Sequence, residues 1–225
     1  MSDSFLTPQD ITCLPKQDGK KPSLLMHTCC GPCAEYPIAA VQENFDVTLF
    51  FYNPNIHPLK EWYRRLEGVI RLAEILDLPL LAYPGCDPAS WAKLKGDPRT
   101  RCRGCYSSRL ERTAYEAEQR NFAYISTTLL VSPYQQHQQL QLVGEAMAEN
   151  HGVKFFYMDF RVGFRQGQEM AKMHGLYRQK YCGCCCSLAS SDFYKKVVKQ
   201  QDEYMIPGQL ANRLAEHGIL QLRGK

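Results

Sequence analysis

No apolar run in this 225-residue chain approaches the roughly 20 residues that a membrane-crossing helix needs. The opening stretch MSDSFLTPQD is polar and acidic, without the basic and apolar regions of a secretory signal, so the expectation is a cytoplasmic chain. Missing too are a G-x-x-x-x-G-K-[ST] phosphate loop and a G-x-G-x-x-G turn, which leaves nucleotide-driven chemistry without support. There is no internal repeat and no low-complexity tract. No strong excess of either charge is present: 27 Lys and Arg against 23 Asp and Glu leave a mild +4, which permits a nucleic-acid partner without arguing for one. With 44% hydrophobic and 22% charged residues, the chain also lacks the profile of a disordered protein, and its length suits one domain with an appendage.

What it has in abundance is cysteine. Eleven is an odd number that no complete disulfide framework can use up. Disulfides rarely persist in a reducing compartment, where thiols more often bind metal or carry redox chemistry. Nine of the eleven fall in three tight groups: Cys29, Cys30 and Cys33; Cys102 and Cys105; Cys182, Cys184, Cys185 and Cys186. A two-residue spacer lets two sulfurs face one centre, and the chain has two such pairs, Cys30/Cys33 and Cys102/Cys105. Four thiolates satisfy either tetrahedral zinc or a four-iron cluster, and spacing alone does not choose between them. Two details lean towards iron and sulfur. The clustered thiols outnumber the four a structural zinc needs, and the adjacent side chains of Cys29 and Cys30 reach a larger cube, or two metals, more easily than one ion. Cys182-Gly183-Cys184 can close as a disulfide or bind metal, the glycine relieving the backbone. A structural zinc site, with the third group as a lid tied to the same metal, is the bland alternative. Cys185 and Cys186 read as packing or incidental residues, and Cys13 in the polar extension and Cys86 in a turn take the bland reading too.

Strand and helix patterns alternate. SLLMH, VTLFFY, LPLLAY, FAYISTT and VKFFYMDF are strand-like; helical patterns cover residues 34–44, 59–76, 88–95, 105–120 and 133–149. GDPRTRCRGC reads as a loop, and helices over 190–200 and 209–217 close the chain. The prediction is an α/β domain over residues 23–187, with a mostly parallel sheet of about five strands flanked by helices. Residues 1–22 form a flexible extension and 188–225 a helical appendage. Ligands of such sheets bind beyond the carboxyl ends of the strands, where HTCCGPC, NPNIHP, GCDP, TTLLVSPY and DFRVGFRQ all fall.

Several other residues qualify as candidates. His27 is either a proton donor or a hydrogen-bonded core residue. Asp159 can ligate metal, give a proton or cap a loop. Asn53 and Asn55 offer amides. Glu61 and Arg65, four apart, read as a surface pair worth a few tenths of a kcal/mol. Arg99, Arg101, Arg103, Arg109 and Arg112 surround the second cysteine group, and Arg161, Arg165, Lys172, Arg178 and Lys180 precede the third, interleaved with Phe164 and Tyr177. Arginine beside aromatics suits loop RNA as well as it suits a solvated basic face. The position next to the cysteines favours RNA.

HTCCGPC, FYNPNIHP, the Glu61–Tyr63–Arg64–Arg65 helix, RCRGCYSSRL, STTLLVSPYQ, the DFR of the fifth strand segment and LYRQKYCGC together resemble the epoxyqueuosine reductases of the QueH type, from about Leu24 to Ser187. The resemblance implies a Rossmann-like sheet of the nucleotide α-hydrolase, PP-loop-like kind. It implies a cobalamin-independent reduction of epoxyqueuosine to queuosine at the wobble position of a tRNA anticodon. It further implies that Cys29, Cys30, Cys102 and Cys105 hold a [4Fe-4S] cluster and that Cys182 and Cys184 are a redox-active pair. The adjacent thiols leave room for a mononuclear iron beside the cluster, with Cys29, Cys33 and Cys182 or Cys184 as ligands. On this reading Asp159 or His27 supplies a proton, and Arg161, Arg165 and Arg178 hold the anticodon backbone. Removing an epoxide oxygen takes two electrons, whereas a four-iron cluster passes one at a time; the electron donor is unknown. The run Cys184-Cys185-Cys186 and the first 22 residues depart from the family pattern and leave roles within the third group open. Two other classes stay in view. A sulfur-inserting iron–sulfur tRNA modifier needs an ATP-binding loop where HTCCGPC stands, and a non-catalytic zinc-bound RNA module would be colourless.

Overall fold

The computed structural model describes residues 19–85, 87–93 and 97–224; Cys13, Cys86 and most of the expected N-terminal extension lie outside them. β1 (Ser23–His27) is the centre of the sheet, flanked in parallel by β2 (Asp46–Phe51) and β4 (Tyr124–Thr127). It has solvent on neither face, so it reads as a continuous apolar run rather than an alternating one. β3 (Leu80–Ala82) pairs β2, and β5 (Lys154–Phe155) pairs β4, both in parallel. β6 (Leu220–Leu222) runs antiparallel on the β3 edge, which makes six strands in the order β5-β4-β1-β2-β3-β6. The expected five parallel strands are present, and the sixth comes from the C-terminal segment.

The chain winds one way from β1 to β2 and β3, and the other way to β4 and β5. The switch point lies between β1 and β4, where such sheets open a crevice at their carboxyl ends. Helix α1 (Gly31–Val41) leaves that crevice, and α2 (Leu59–Leu76) packs beside it. A side chain at Gly31 would place its Cβ 2.8 Å from the Gly68 carbonyl oxygen, so only glycine lets α1 start this close to α2.

Several boundaries differ from expectation, three of them with a local physical reason. Helix α1 begins three residues before position 34, because Pro32 is favoured in a first turn. The second cysteine group lies on a helix, not in a loop. After the short α3 (Pro88–Ala92), α4 runs over Pro98–Gln119, capped by Asp97 Oδ1, which accepts from the Arg99 and Thr100 amides at 2.7 and 3.2 Å. The fifth strand pairs over two residues only. The apolar run beyond it, Phe156, Met158 and Phe160, enters the core as irregular chain and a 3-10 turn (Phe160–Gly163). Its hydrophobicity records burial, which periodicity alone does not separate from strand pairing.

A 3-10 turn (Thr128–Val131), α5 (His137–Asn150), α6 (Phe164–Met173), α7 (Cys185–Ala189), α8 (Tyr194–Glu203) and α9 (Gly208–His217) complete the molecule. No described helix is long and apolar enough to cross a membrane.

Candidate metal centre

The junction between β1 and α1 carries the first thiols. Cys30 is the extended N-cap residue of α1, and Cys33 lies in the helix's first turn. The sulfurs of Cys29, Cys30 and Cys33 lie within 4.8 Å of one another and all three residues are buried. Among the described residues this is the one group of three or more such ligand atoms so close together. Soft, converging and placed at a positive helix end, the set can bind a metal. Hydrogen bonds from Cys30 and Cys33 push the Cys29 thiol well below its usual range, so a thiolate is favoured there. Gln179 Nε2 donates to the Cys30 and Cys33 sulfurs at 2.9 and 3.4 Å, and Thr128 Oγ1 lies 3.6 Å from that of Cys29.

The second group faces a separate cavity of about 220 Å³, lined by Cys102, Cys105, Cys182, Cys184, Cys185 and Cys186. Burial pushes the Cys105 thiol up to about 12. Arg109, itself buried, donates from Nη2 to the Cys105 sulfur at 2.9 Å, and its positive charge also favours the Cys29 thiolate. The guanidinium therefore touches the second sulfur group, and its charge acts on the first. A second cavity, about 720 Å³, reaches Cys29 and Cys33 from solvent between Phe164, Gln179 and Phe193. The exposed Cys182 lines both cavities, and Gln135 Nε2 approaches its sulfur at 3.5 Å. Gln135 is itself fixed by Tyr106, whose hydroxyl donates to its Oε1 at 2.9 Å. Cys182 and Cys184 are free thiols. Cys185 and Cys186, read as packing residues, are only partly buried and share the smaller cavity.

Residues 24–190 match the family described as Epoxyqueuosine reductase QueH. The chain belongs to the QueH family. Similar members carrying that name come from Thermotoga maritima, 39% identical over 176 residues (74% of this chain, 90% of the relative), and Dehalococcoides mccartyi, 38% over 168 residues (74% and 92%). A Streptococcus pyogenes QueH is 31% identical over 182 residues, covering 75% of this chain and 71% of the relative.

The part of this QueH chain most misread from sequence is Glu61–Arg65. It is no surface pair: both side chains are buried, with Arg65 Nε on Glu61 Oε1 at 2.8 Å. Burial works against the arginine's charge, and the Glu61 carboxylate outweighs it, so Arg65 stays a cation. Its two other nitrogens donate to the Cys182 and Tyr181 carbonyls, each at 2.9 Å. Glu61 also accepts from Tyr177 and Gln201 at 2.9 and 2.7 Å. This network pins the loop of the third cysteine group to α2. Gly183 sits there at φ +133, with Arg65 Nη1 3.1 Å from where a Cβ would be, so any side chain would press on the guanidinium. Arg65→Met leaves Glu61 buried without its counter-charge and is expected to cost about 3 kcal/mol. Urea unfolding measures it, and a loss below about 1 kcal/mol would show that the pair is dispensable.

The remaining QueH candidates are spread out. His27 is fully buried, its nitrogens against Thr127 Oγ1 at 2.9 Å and the Tyr52 carbonyl at 3.3 Å. Burial, then the Arg109 charge, lowers its pKa to about 3, so it is neutral. Asp159 caps the Phe160–Gly163 turn and binds Arg161, whose hydrogen bonds hold the carboxyl below its usual range. It lines neither sulfur cavity. Arg165 and Arg178 are exposed and have no ion-pair partner among the described residues. Sequence reasoning did not single out Gln179 or Gln135. Both lie inside motifs quoted for the family resemblance, and only the fold turns them towards sulfur.

Proposed function

We propose that this chain reduces the epoxide of epoxyqueuosine, carried in a tRNA anticodon, to the alkene of queuosine. One observation carries the reading: the Cys182 thiol borders both sulfur-lined cavities, so a group bound in either meets an accessible reductant. The reaction balances on a dithiol. An epoxide and two thiols give an alkene, water and a disulfide, both carbon–oxygen bonds breaking as two electrons and two protons leave the sulfurs. Cys182 and Cys184 are assigned to that pair, which an unidentified donor must then reduce again.

Cys29, Cys30, Cys102 and Cys105 are proposed to hold a [4Fe-4S] cluster, with Cys33 beside it for a mononuclear iron. The soft donor set and the convergence of Cys29, Cys30 and Cys33 support this. When bound, such groups supply single electrons and a Lewis-acidic iron. The chain's own residues prepare the site. Arg109 offsets thiolate charge at Cys105 and Cys29, Gln179 holds the Cys30 and Cys33 sulfurs, and Gln135 aims the Cys182 thiol. In this reading the thiols themselves deliver the protons, because His27 is neutral and enclosed and the Arg161 pairing keeps Asp159 ionised. Asp159 then serves to hold Arg161 at the RNA face. The strand order, with its switch beside β1, supports a nucleotide α-hydrolase type of sheet. The tRNA substrate and the reduced thiols suit a cytoplasmic enzyme.

Arg165 and Arg178, exposed and each next in sequence to a residue that lines the larger cavity (Phe164 and Gln179), are assigned to the anticodon phosphates. Reversing both charges is expected to flatten the salt dependence of tRNA binding by about 0.7 in log–log slope for each phosphate no longer neutralised. An unchanged slope would remove them from the interface. The reading as a whole is tested by anaerobic iron and sulfide analysis, followed by single turnover on epoxyqueuosine-containing tRNA. A colourless zinc protein without turnover would overturn it.

A further inference from the structure

The Asn-Pro-Asn turn after β2 contains two buried asparagines that are used differently. Asn53 spends both ends of its amide: Nδ2 donates to the Thr28 carbonyl at 3.0 Å and Oδ1 accepts from Arg109 Nη1 at 3.5 Å. Asn55 is as deeply buried, yet neither its Nδ2 nor its Oδ1 has a hydrogen-bond partner among the described residues. Buried amides are almost always paired, and leaving both ends open is costly. Asn55 is one of the residues around the 220 Å³ cavity that Cys182, Cys184 and Arg109 also line. The residue that carries the open amide and the proposed reductant therefore border the same space.

The ligand that completes Asn55 has to satisfy one donor and one acceptor. A soft metal among thiols does not, because it prefers sulfur to an amide oxygen. An epoxide oxygen does. It is an acceptor without hydrogen in the substrate, and it gains a hydrogen of its own as its bonds to carbon open. We infer that Asn55 is a catalytic residue of the proposed reduction, its amide N–H donating to the epoxide oxygen and stabilising the negative charge that gathers there as the first carbon–oxygen bond breaks. The Oδ1 atom accepts from the hydroxyl that follows, which holds the oxygen until it departs as water with the second thiol proton. Arg109, fixed by Asn53 and Cys105, adds a positive charge in the same cavity. The inference rests on the functional reading above and names the group that touches the reacting atom.

The experiment compares the iron-loaded full chain with Asn55→Asp, which keeps the shape and removes the donor, and with Asn55→Leu, which removes both polar ends. Three quantities are read: iron content, the Kd for epoxyqueuosine-tRNA against queuosine-tRNA, and single-turnover kcat and KM. The wild type should bind the epoxide form about tenfold more tightly than the product, which lacks the oxygen. Asn55→Asp should keep its iron, bind both tRNAs alike and turn over about 10²-fold more slowly with KM little changed. A purely structural role would weaken both tRNAs equally. If Asn55→Asp keeps both the preference and a rate within threefold of wild type, the inference is overturned; it is equally overturned if both variants lose iron. If the wild type itself neither reduces nor prefers the epoxide form, the proposed function falls and the role of Asn55 with it.

Discussion

Cys182→Ala is expected to keep its iron and lose turnover by a factor on the order of 10⁴ or more. The two halves of that result have separate causes. The buried, converging thiols are Cys29, Cys30 and Cys33, and Cys182 is not among them; it stands exposed at the rim where the two cavities meet. Removing its sulfur leaves those donors and the bond from Gln179 in place. What disappears is one half of the dithiol assigned to balance the reaction, and Cys184 is left without the partner that borders both cavities. Iron content by colorimetry and single turnover on substrate tRNA are measured side by side. Turnover within tenfold of wild type would end the dithiol assignment. Full loss of iron would make Cys182 a ligand instead of a relay.

Cys30→Ala is expected to remove the brown anaerobic absorbance and activity together. Cys30 is 1% exposed, belongs to the converging group of three sulfurs and receives the shorter Gln179 bond, so its loss takes a buried donor out of the set. The side chain is small, so the fold should survive the change with only a modest loss of stability. Cys105→Ala is the informative partner. Its sulfur faces the other cavity, against Arg109. If one iron–sulfur group spans both sets of thiols, the two variants lose iron alike. Full iron in Cys105→Ala alongside loss in Cys30→Ala would confine the metal to Cys29, Cys30 and Cys33.

Much of the architecture follows from short-range rules. The continuous apolar runs at β1 and β2 read as strands of a parallel sheet, and α2 spans Leu59–Leu76 as its periodicity predicts. Asp97 before Pro98 was a legible helix start that a loop reading of the second cysteine group passed over. Glu61 and Arg65 were not legible in the same way. Their spacing places them together on α2, but nothing local tells how wide a strip of that helix is covered. Its cover comes from Tyr177, Tyr181 and Gln201, more than 100 positions along the chain.

By itself, then, the sequence determined that strands and helices alternate, that the thiols come in groups and that the first group follows the central strand. Spacing, capping and hydrophobic period are properties of neighbours, and neighbours suffice for them. Only the tertiary structure decided which glutamine reaches the first sulfur group, which amide stays open and which charged pair is shut away from water. Each of those depends on side chains from distant segments arriving at one crevice, and that arrival is set by the packing of the whole sheet.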